Sequence, residues 1–451
     1  MNTIVALATS VGRSAIGVIR LSGPEAIDIA RNLIGDKFDP QPGSVQLKSI
    51  TNPHNHTVLD QALVTYFKAP SSFTGEDIVE LSCHGSPVIL RQVLDLTLQL
   101  GARLADPGEF TLRALSNGKI NLSQAEAIRD LIDARTSGAA RQAVRQLNGE
   151  LSAKLSPIKE RVLEIIVLLE SALEFAEDDL PELQRGKIGL EVKAIANDLD
   201  SLASTFSVGH LLADGLKVAI VGRPNVGKSS LFNGLLGLDR AIVTDIPGTT
   251  RDSINEQISL EGIPVLLTDT AGMREAGDSI ETIGIERTHR AIADADLLLV
   301  VIDGSMELER EDMEVLAQAE EANHIVVLNK CDVPSFQHRL RATSYADSVT
   351  VELSALNGSG LDKLRAAILE PFGLVDSEGM GLLVTNARHH DLLRRSEAEL
   401  GSSAALLGQN ASEELVLVGL HNALRLLGEV TGETTTEDIL SQIFSTFCIG
   451  K

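Results

Sequence analysis

The chain has 451 residues, of which 43% are hydrophobic and 23% are charged, and its formal net charge is -24. This length predicts two to four domains, and the composition excludes bulk disorder. Because nucleic-acid affinity normally depends on Lys and Arg neutralising phosphates, an RNA partner would make limited contacts or need a second protein.

The sequence indicates neither a membrane span nor an export signal. Its apolar runs stay far below the ~20 residues needed to cross a bilayer. The first residues, MNTIVALATSVGR, lack the basic segment of a signal peptide. The 3 cysteines are widely scattered, which is typical of a reducing compartment and not of a disulfide framework. We therefore expect a cytoplasmic protein without membrane contact.

The pattern of apolar residues changes three times along the chain. Residues 1–118 alternate short β-type runs with helical stretches, which predicts a mixed α/β domain. Residues 119–214 carry apolar positions at helical spacing, and residues 375–451 return to this pattern. Between them, residues 215–374 alternate apolar strands with helical segments, as in a parallel sheet with crossover helices. The fold class is thus α/β plus α, with an α/β domain inserted into a discontinuous helical domain.

A phosphate-binding motif opens the inserted domain. Residues Gly222–Ser229 fit G-x-x-x-x-G-K-[ST], directly after an apolar strand and before a helical segment. Small residues let the backbone curl, so that its N–H groups and the helix N-terminus surround phosphates. Lys228 is predicted to reach the β- and γ-phosphates, and the Ser229 hydroxyl to bind Mg²⁺.

Three later segments follow strand-like runs. In Asp269–Gly272, the aspartate can meet the Mg²⁺ shell and the last N–H can sense the γ-phosphate. In Asn329–Asp332, the final carboxylate can accept hydrogen bonds from N1–H and the 2-amino group of guanine, a donor pair that adenine lacks. Ser354–Ala355 suits a backbone contact to guanine O6. We expect these four segments to form loops at one edge of a single sheet, and in this order they predict GTP binding.

A segment rich in hydroxyls, Thr244–Asp252, lies between the first two motifs. We interpret it as a switch in which Thr250 closes onto Mg²⁺, the alternative being a surface loop rich in Thr and Gly. The predicted GTP-binding residues are Asn225, Val226, Gly227, Lys228, Ser229, Ser230, Thr244, Asp245, Ile246, Pro247, Gly248, Thr249, Thr250, Asp269, Thr270, Ala271, Gly272, Asn329, Lys330, Asp332, Ser354 and Ala355.

The hydrolysis machinery is unusual. Met273 stands where Ras-like proteins carry the glutamine that positions water, and a thioether cannot do this. Asn225 offers an amide oxygen that can bind a monovalent cation near the phosphates. Spacing alone does not choose among the acidic residues of the second switch, which are Glu275, Asp278, Glu281 and Glu286.

The order of these segments resembles the MnmE (also called TrmE) family of tRNA-modification GTPases, in the TrmE-Era-EngA-like group. The likeness runs over the whole chain and includes Gly222–Ser230, Gly248–Asp252, Asp269–Gly272, Asn329–Asp332 and the terminal Cys448–Lys451. The tail, together with an N-terminal domain and an interrupted helical domain, is more specific than the nucleotide motifs.

The resemblance implies a Ras-like P-loop GTPase domain and an N-terminal domain that binds folate and dimerises. It implies a homodimer holding a 5-formyl-tetrahydrofolate-type one-carbon donor, for which the matching residues are Arg20, Glu80, Lys119 and Lys451. For K⁺, the matching ligands are Asn225, Thr244, Ile246 and Thr249; for Mg²⁺, they are Ser229 and Thr250.

The resemblance also implies a reaction. A K⁺-dependent GTPase works with the flavin-containing partner MnmG to add an aminomethyl or carboxymethylaminomethyl group to C5 of the wobble uridine of certain tRNAs. Glu281 matches the residue that orients water, and with Lys228 and Cys448 it completes the predicted catalytic set. Cys448 is implied to matter for tRNA modification.

Two other classes of function fit part of the sequence. One is an RNA-binding GTPase switch in ribosome assembly without substrate chemistry, although such proteins usually carry a basic RNA-binding module. The other is a nucleotide-gated dimeric scaffold.

Overall fold

The computed structural model describes residues 2–35, 38–174, 182–237, 255–269, 293–320, 322–338, 340, 343–372 and 381–450. The chain divides into two compact units. The first comprises Met1–Arg129, Gln146–Lys159 and Leu424–Lys451; the second comprises Asp130–Arg145 and Glu160–Ala423. Within the described ranges, no helix is long and apolar enough to cross a membrane.

The first unit contains a six-stranded sheet. Its strands are β1 (Ile4–Leu7), β2 (Ile16–Ser22), β3 (Val45–Thr51), β4 (Val58–Phe67), β5 (Ile78–His84) and β6 (Arg103–Leu104). The strand order is β3-β4-β5-β2-β1-β6, and every pair is antiparallel except β1 with β6. In β4, buried and more exposed residues alternate, because one face of the sheet lies on the core and the other does not.

Helices α1 (Ala26–Ile34) and α2 (Pro87–Gln99) share one apolar core with this sheet, through residues such as Ile29 and Val93. Pro87 at the first position of α2 suits a helix start, where its missing N–H costs nothing. The further helices up to the second sheet are α3 (Glu109–Ser116), α4 (Leu122–Asp133), α5 (Ser137–Leu147), α6 (Glu150–Glu174), α7 (Glu182–Ser204) and α8 (Phe206–Asp214).

The second unit contains a sheet that is parallel apart from one edge strand. Its strands are β7 (Leu216–Val221), β8 (Asn255–Leu260), β9 (Ile263–Asp269), β10 (Leu297–Asp303), β11 (His324–Asn329) and β12 (Thr350–Glu352), in the order β12-β11-β10-β7-β9-β8. Only β8 is antiparallel to its neighbour.

Strand β10 shows why a continuous apolar run folds as a central parallel strand. All of its residues are buried. Leu299 and Val301 belong to the core on one face of the sheet, and Leu298 and Val300 belong to the core on the other. Helices α9 (Lys228–Leu236) and α11 (Leu361–Leu369) contribute to the first core, and α10 (Arg310–Ala319) to the second.

Helices return after this sheet, as α12 (Ala387–Gly408), α13 (Glu413–Thr431) and α14 (Glu437–Ser445). Helix α12 packs along α7, which precedes the second sheet in the chain. The predicted fold class, mixed α/β sheets with a helical domain and an inserted parallel-rich sheet, is confirmed. The four domain boundaries given above stay predictions.

Candidate functional sites

The phosphate motif forms a loop between β7 and α9. Its backbone is left-handed at Asn225 (φ 64°) and at Gly227 (φ 104°). Gly222 packs so closely on β10 that a Cβ there would lie 2.4 Å from the carbonyl oxygen of Val301. Helix α9 begins at Lys228, so the N–H groups of its first turn open onto this loop. The loop can therefore receive a group with several negative charges.

Lys228 is held inside this loop. Its Nζ donates to the carbonyl oxygens of Gly222 (2.9 Å) and Arg223 (2.8 Å), and the residue is 6% exposed. Ser229 and Ser230 follow on the first turn of α9 and are exposed, as is Asn225. Amide and hydroxyl oxygens are hard donors, so Asn225 fits K⁺ and Ser229 fits Mg²⁺ by chemistry.

Asn329 connects three predicted nucleotide-binding segments. Its Nδ2 donates to the carbonyl oxygen of Val226 at 2.8 Å, and its Oδ1 accepts from the N–H of Ala355 at 2.9 Å. Asn329 ends β11, while Ala355 follows β12. Because parallel strands bring their carboxyl ends to one edge of the sheet, three segments distant in sequence meet there.

The residues predicted to read the base differ in how they are engaged. Asp332 is exposed and makes no hydrogen bond or ion pair with the residues the structure describes, so its carboxylate can accept bonds from a base. Ser354 is buried, and its N–H donates to the carbonyl oxygen of Ser359. The N–H of Ala355 already serves Asn329, so a contact from Ala355 to guanine O6 requires that this N–H be shared or released.

Part of the predicted site lies outside the described residues: Thr244, Asp245, Ile246, Pro247, Gly248, Thr249, Thr250, Thr270, Ala271, Gly272, Met273, Glu275, Asp278, Glu281, Glu286 and Lys451. The backbone of Asp269 is described and pairs with Ile220 of β7.

In the first unit, two of the predicted folate residues meet. Arg20 and Glu80 face each other on β2 and β5, and the Arg20 Nε donates to a Glu80 oxygen at 2.7 Å. The Arg20 Nη1 donates to the carbonyl oxygen of Gly450 at 3.3 Å, and its guanidinium lies 5.8 Å from the centre of the Phe110 ring. The C-terminal tail thus reaches the Arg20–Glu80 pair.

The other residues predicted around this site lie differently. Lys119 donates from Nζ to the carbonyl oxygen of Pro70 at 2.9 Å, and within the described residues it makes no hydrogen bond with Arg20. Cys448 is exposed, and its carbonyl oxygen accepts from the N–H of Gly108 at 3.4 Å.

Cys83 and His84 belong to the fold of the first unit. Burial, reinforced by the nearby Asp60 carboxylate, raises the pKa of the Cys83 thiol to about 12. The His84 Nδ1 lies 2.6 Å from an Asp60 oxygen. Burial raises the pKa of Asp60, but the hydrogen bonds from His84 outweigh this and leave it below its ordinary value. Among the described residues, no group of three or more His, Cys, Asp or Glu is arranged to hold a metal ion.

Sequence reasoning missed two side chains that brace the phosphate loop. Arg223, in a variable position of the motif, donates to Asp312 (3.1 Å) and Glu309 (2.8 Å) at the start of α10. Asp303, at the end of β10, lies 2.5 Å from the Lys330 Nζ. The position of Asp303 directly after an apolar strand was the available signal, since the same rule located Asn329.

Comparison with known proteins extends these observations. Residues 3–119 match the family model described as GTP-binding protein TrmE N-terminus, and residues 122–448 match that of the MnmE helical domain. A tRNA modification GTPase MnmE of Aquifex aeolicus (strain VF5) is 43% identical over 449 residues, 99% of this chain and 99% of the relative. The protein of the same name from Koribacter versatilis (strain Ellin345) is 46% identical over 455 residues, 100% of this chain and 99% of the relative.

A solved structure is also similar over part of the chain. The G domain of the T. maritima FeoB iron transporter is 26% identical, over 35% of this chain and 98% of that one. The TM-score of this comparison is 0.28.

Proposed function

Because this chain belongs to the MnmE (TrmE) family, we propose that it is a GTP hydrolase that acts in the modification of tRNA. The structural observation that carries the proposal is the position of Asn329, whose side chain joins the phosphate loop to the segment after β12. This connection makes one continuous binding edge from the triphosphate to the base. Asp332, exposed on the same loop, supplies the carboxylate that selects guanine.

The roles of the remaining residues follow from their positions. Lys228 exchanges its two loop carbonyls for phosphate oxygens and stabilises the charge that develops on them. Ser229 would help to hold Mg²⁺, and Asn225 would help to hold K⁺, which supplies positive charge next to the phosphates. We propose that Thr244, Ile246, Thr249 and Thr250 complete these two ion sites, and that Glu281 orients water.

We further propose that the chain forms a homodimer in the cytoplasm. This homodimer would act together with MnmG to add an aminomethyl or carboxymethylaminomethyl group at C5 of the wobble uridine of tRNA. The Arg20–Glu80 pair supports a folate-type one-carbon donor in the first unit. A guanidinium suits the glutamate carboxylates of a folate, and a carboxylate suits the N–H groups of a pterin. Cys448, exposed on the tail that reaches Arg20, is available at this place.

GTP turnover by the purified protein tests the nucleotide site. We expect hydrolysis in K⁺ buffer that falls strongly in Na⁺ buffer and is lost in Lys228→Ala. An Asp332→Asn protein should prefer xanthosine triphosphate, because the new amide offers a donor where guanine also has one. Equal rates in K⁺ and Na⁺ would defeat the cation proposal, and an unchanged preference for GTP would defeat the base assignment.

Mass analysis of wobble uridines tests the cellular reaction. Cells lacking the protein should lose the C5 modification, and the wild-type gene should restore it while Lys228→Ala should not. Wobble uridines that still carry the C5 modification in the deletion strain would instead favour a ribosome-assembly switch or a scaffold.

Calorimetric titration with 5-formyl-tetrahydrofolate tests the first unit. Arg20→Met should weaken binding by roughly tenfold or more, because it removes a charge-assisted hydrogen bond. Arg91→Met is the matched control, since Arg91 forms an exposed pair with Asp95 on α2. No heat with the wild-type protein would refute the folate proposal.

A further inference from the structure

Asp303 is a buried carboxylate at the same sheet edge as the phosphate loop. It ends β10 and is 4% exposed. Its Oδ1 accepts from the N–H (3.0 Å) and the hydroxyl (2.6 Å) of Ser305. Its Oδ2 lies 2.5 Å from the Lys330 Nζ. Both oxygens are thus engaged, and moving either partner away would leave a buried charge poorly compensated.

Lys330 connects Asp303 to the phosphate loop. Its Nζ donates to the carbonyl oxygen of Asn225 at 3.3 Å, in addition to its ion pair with Asp303. Lys330 and Asn225 both have left-handed backbones, with φ of 67° and 64°. This conformation is unfavourable for residues other than glycine and persists where surrounding contacts enforce it. The contacts from Asp303 through Lys330 to Asn225 hold these two residues in the left-handed conformation.

We propose that Asp303 is a positioning residue for guanine-nucleotide binding, which anchors Lys330 and through it the phosphate loop at Asn225. This inference rests on the proposed GTPase function and deepens it. Within the described residues, Asp303 makes hydrogen bonds with Ser305 and Lys330 and none with Asp332. Asp303 therefore sets how tightly a nucleotide is held and leaves the choice of base to Asp332.

The charge on Asp303 is maintained by its surroundings. Burial raises the pKa of this carboxyl, but the hydrogen bonds from Lys330 and Ser305 outweigh burial and leave it below the ordinary value of 3.8. The carboxylate therefore stays ionised at neutral pH, where it holds the ammonium group of Lys330.

Dissociation of a fluorescent methylanthraniloyl-GDP from the full chain in K⁺ buffer tests the proposal. Asp303→Asn should release the nucleotide roughly 10- to 100-fold faster, because a charge-assisted hydrogen bond is lost. Lys330→Met breaks the same connection, so the double variant should be no faster than Lys330→Met alone. Glu314→Gln, which removes an exposed ion pair with Arg310 on α10, is the matched control and should keep the wild-type rate.

A milder variant covers the case in which Asp303→Asn does not fold. Ser305→Ala keeps the charge and removes only the 2.6 Å hydrogen bond to Asp303, so release should rise about threefold to tenfold. A wild-type release rate in folded Asp303→Asn, or in Ser305→Ala, would overturn the role of Asp303. The role of Asp303 would also be overturned if the increases in release rate of Asp303→Asn and Lys330→Met multiplied in the double variant. Such independence would mean that Asp303 does not act through Lys330. A wild-type protein that binds no guanine nucleotide would overturn the proposed function itself.

Discussion

Replacing Gly227 by alanine tests how the phosphate loop is joined to Asn329. The backbone φ at Gly227 is 104°, and a Cβ there would lie 2.2 Å from the Asn329 Nδ2. Asn329 cannot move aside freely, because its amide bridges Val226 and Ala355. Gly227→Ala therefore adds backbone strain and also displaces a buried bridge.

The two costs can be estimated separately. A left-handed backbone costs a non-glycine residue about 1–2 kcal/mol. Each of the two hydrogen bonds of Asn329 contributes about 0.5–1.5 kcal/mol. The free energy of unfolding of Gly227→Ala should therefore fall by about 2–5 kcal/mol. Urea denaturation followed by circular dichroism measures this loss, and GDP affinity should fall with it.

Two further variants separate strain from collision. Gly358 also has a positive φ of 81°, but a Cβ there would meet nothing closer than 3.9 Å, so Gly358→Ala should show the strain cost alone. Asn329→Ala removes the atom that the new Cβ strikes. Adding Gly227→Ala to it should then cost only about 1–2 kcal/mol more. If the losses of the two single variants add in full, the collision with Asn329 is not the cause and the reasoning fails.

Three other outcomes follow from the described contacts. A thiol reagent at pH 8 should modify the exposed Cys448 in the native protein and leave Cys83 unmodified until denaturant is added. The reason is that burial raises the pKa of the Cys83 thiol to about 12. Equal labelling of the two cysteines, measured by mass spectrometry, would contradict this. The pKa of Asp303 is lowered by folding, so its contribution to stability is present above the ordinary value of 3.8 and is lost as the pH falls through the lowered value. The difference in free energy of unfolding between wild type and Asp303→Asn, measured by urea denaturation, should therefore become smaller in acid. A difference that grows in acid would refute this direction of the pH dependence. Arg113→Met should cost about 3–5 kcal/mol, because it removes a buried positive charge that both Glu76 and Glu109 bind. Arg91→Met, at an exposed pair with Asp95 on α2, should change stability by less than about 0.5 kcal/mol; near-equal effects in denaturation would refute the importance of the buried network.

Local patterns in the sequence were sufficient for the fold class. The apolar run of β10, flanked by helical segments, predicts a buried parallel strand, and the structure buries it on both faces. The rule that polar residues after parallel strands share one edge predicted that the phosphate loop, Asn329 and Ser354–Ala355 lie together. Contacts of Asn329 with the other two segments agree with that expectation.

Pairings between distant side chains were not predictable in the same way. Arg20 and Glu80 are partners because β2 and β5 align in one antiparallel register, and a shift by one residue would turn them to opposite faces. Asp303 reaches Lys330 because β10 and β11 end side by side. No periodicity along the chain specifies either register.

The sequence by itself determined the fold class, the phosphate-binding motif and the family, because these depend on residues that are close neighbours in the chain. Only the tertiary structure decided that Asn329 bridges two segments, that Asp303 braces Lys330 and that the tail reaches Arg20. The physical reason is that strand register and side-chain packing, which are settled by the whole core at once, fix which distant atoms come within hydrogen-bonding distance.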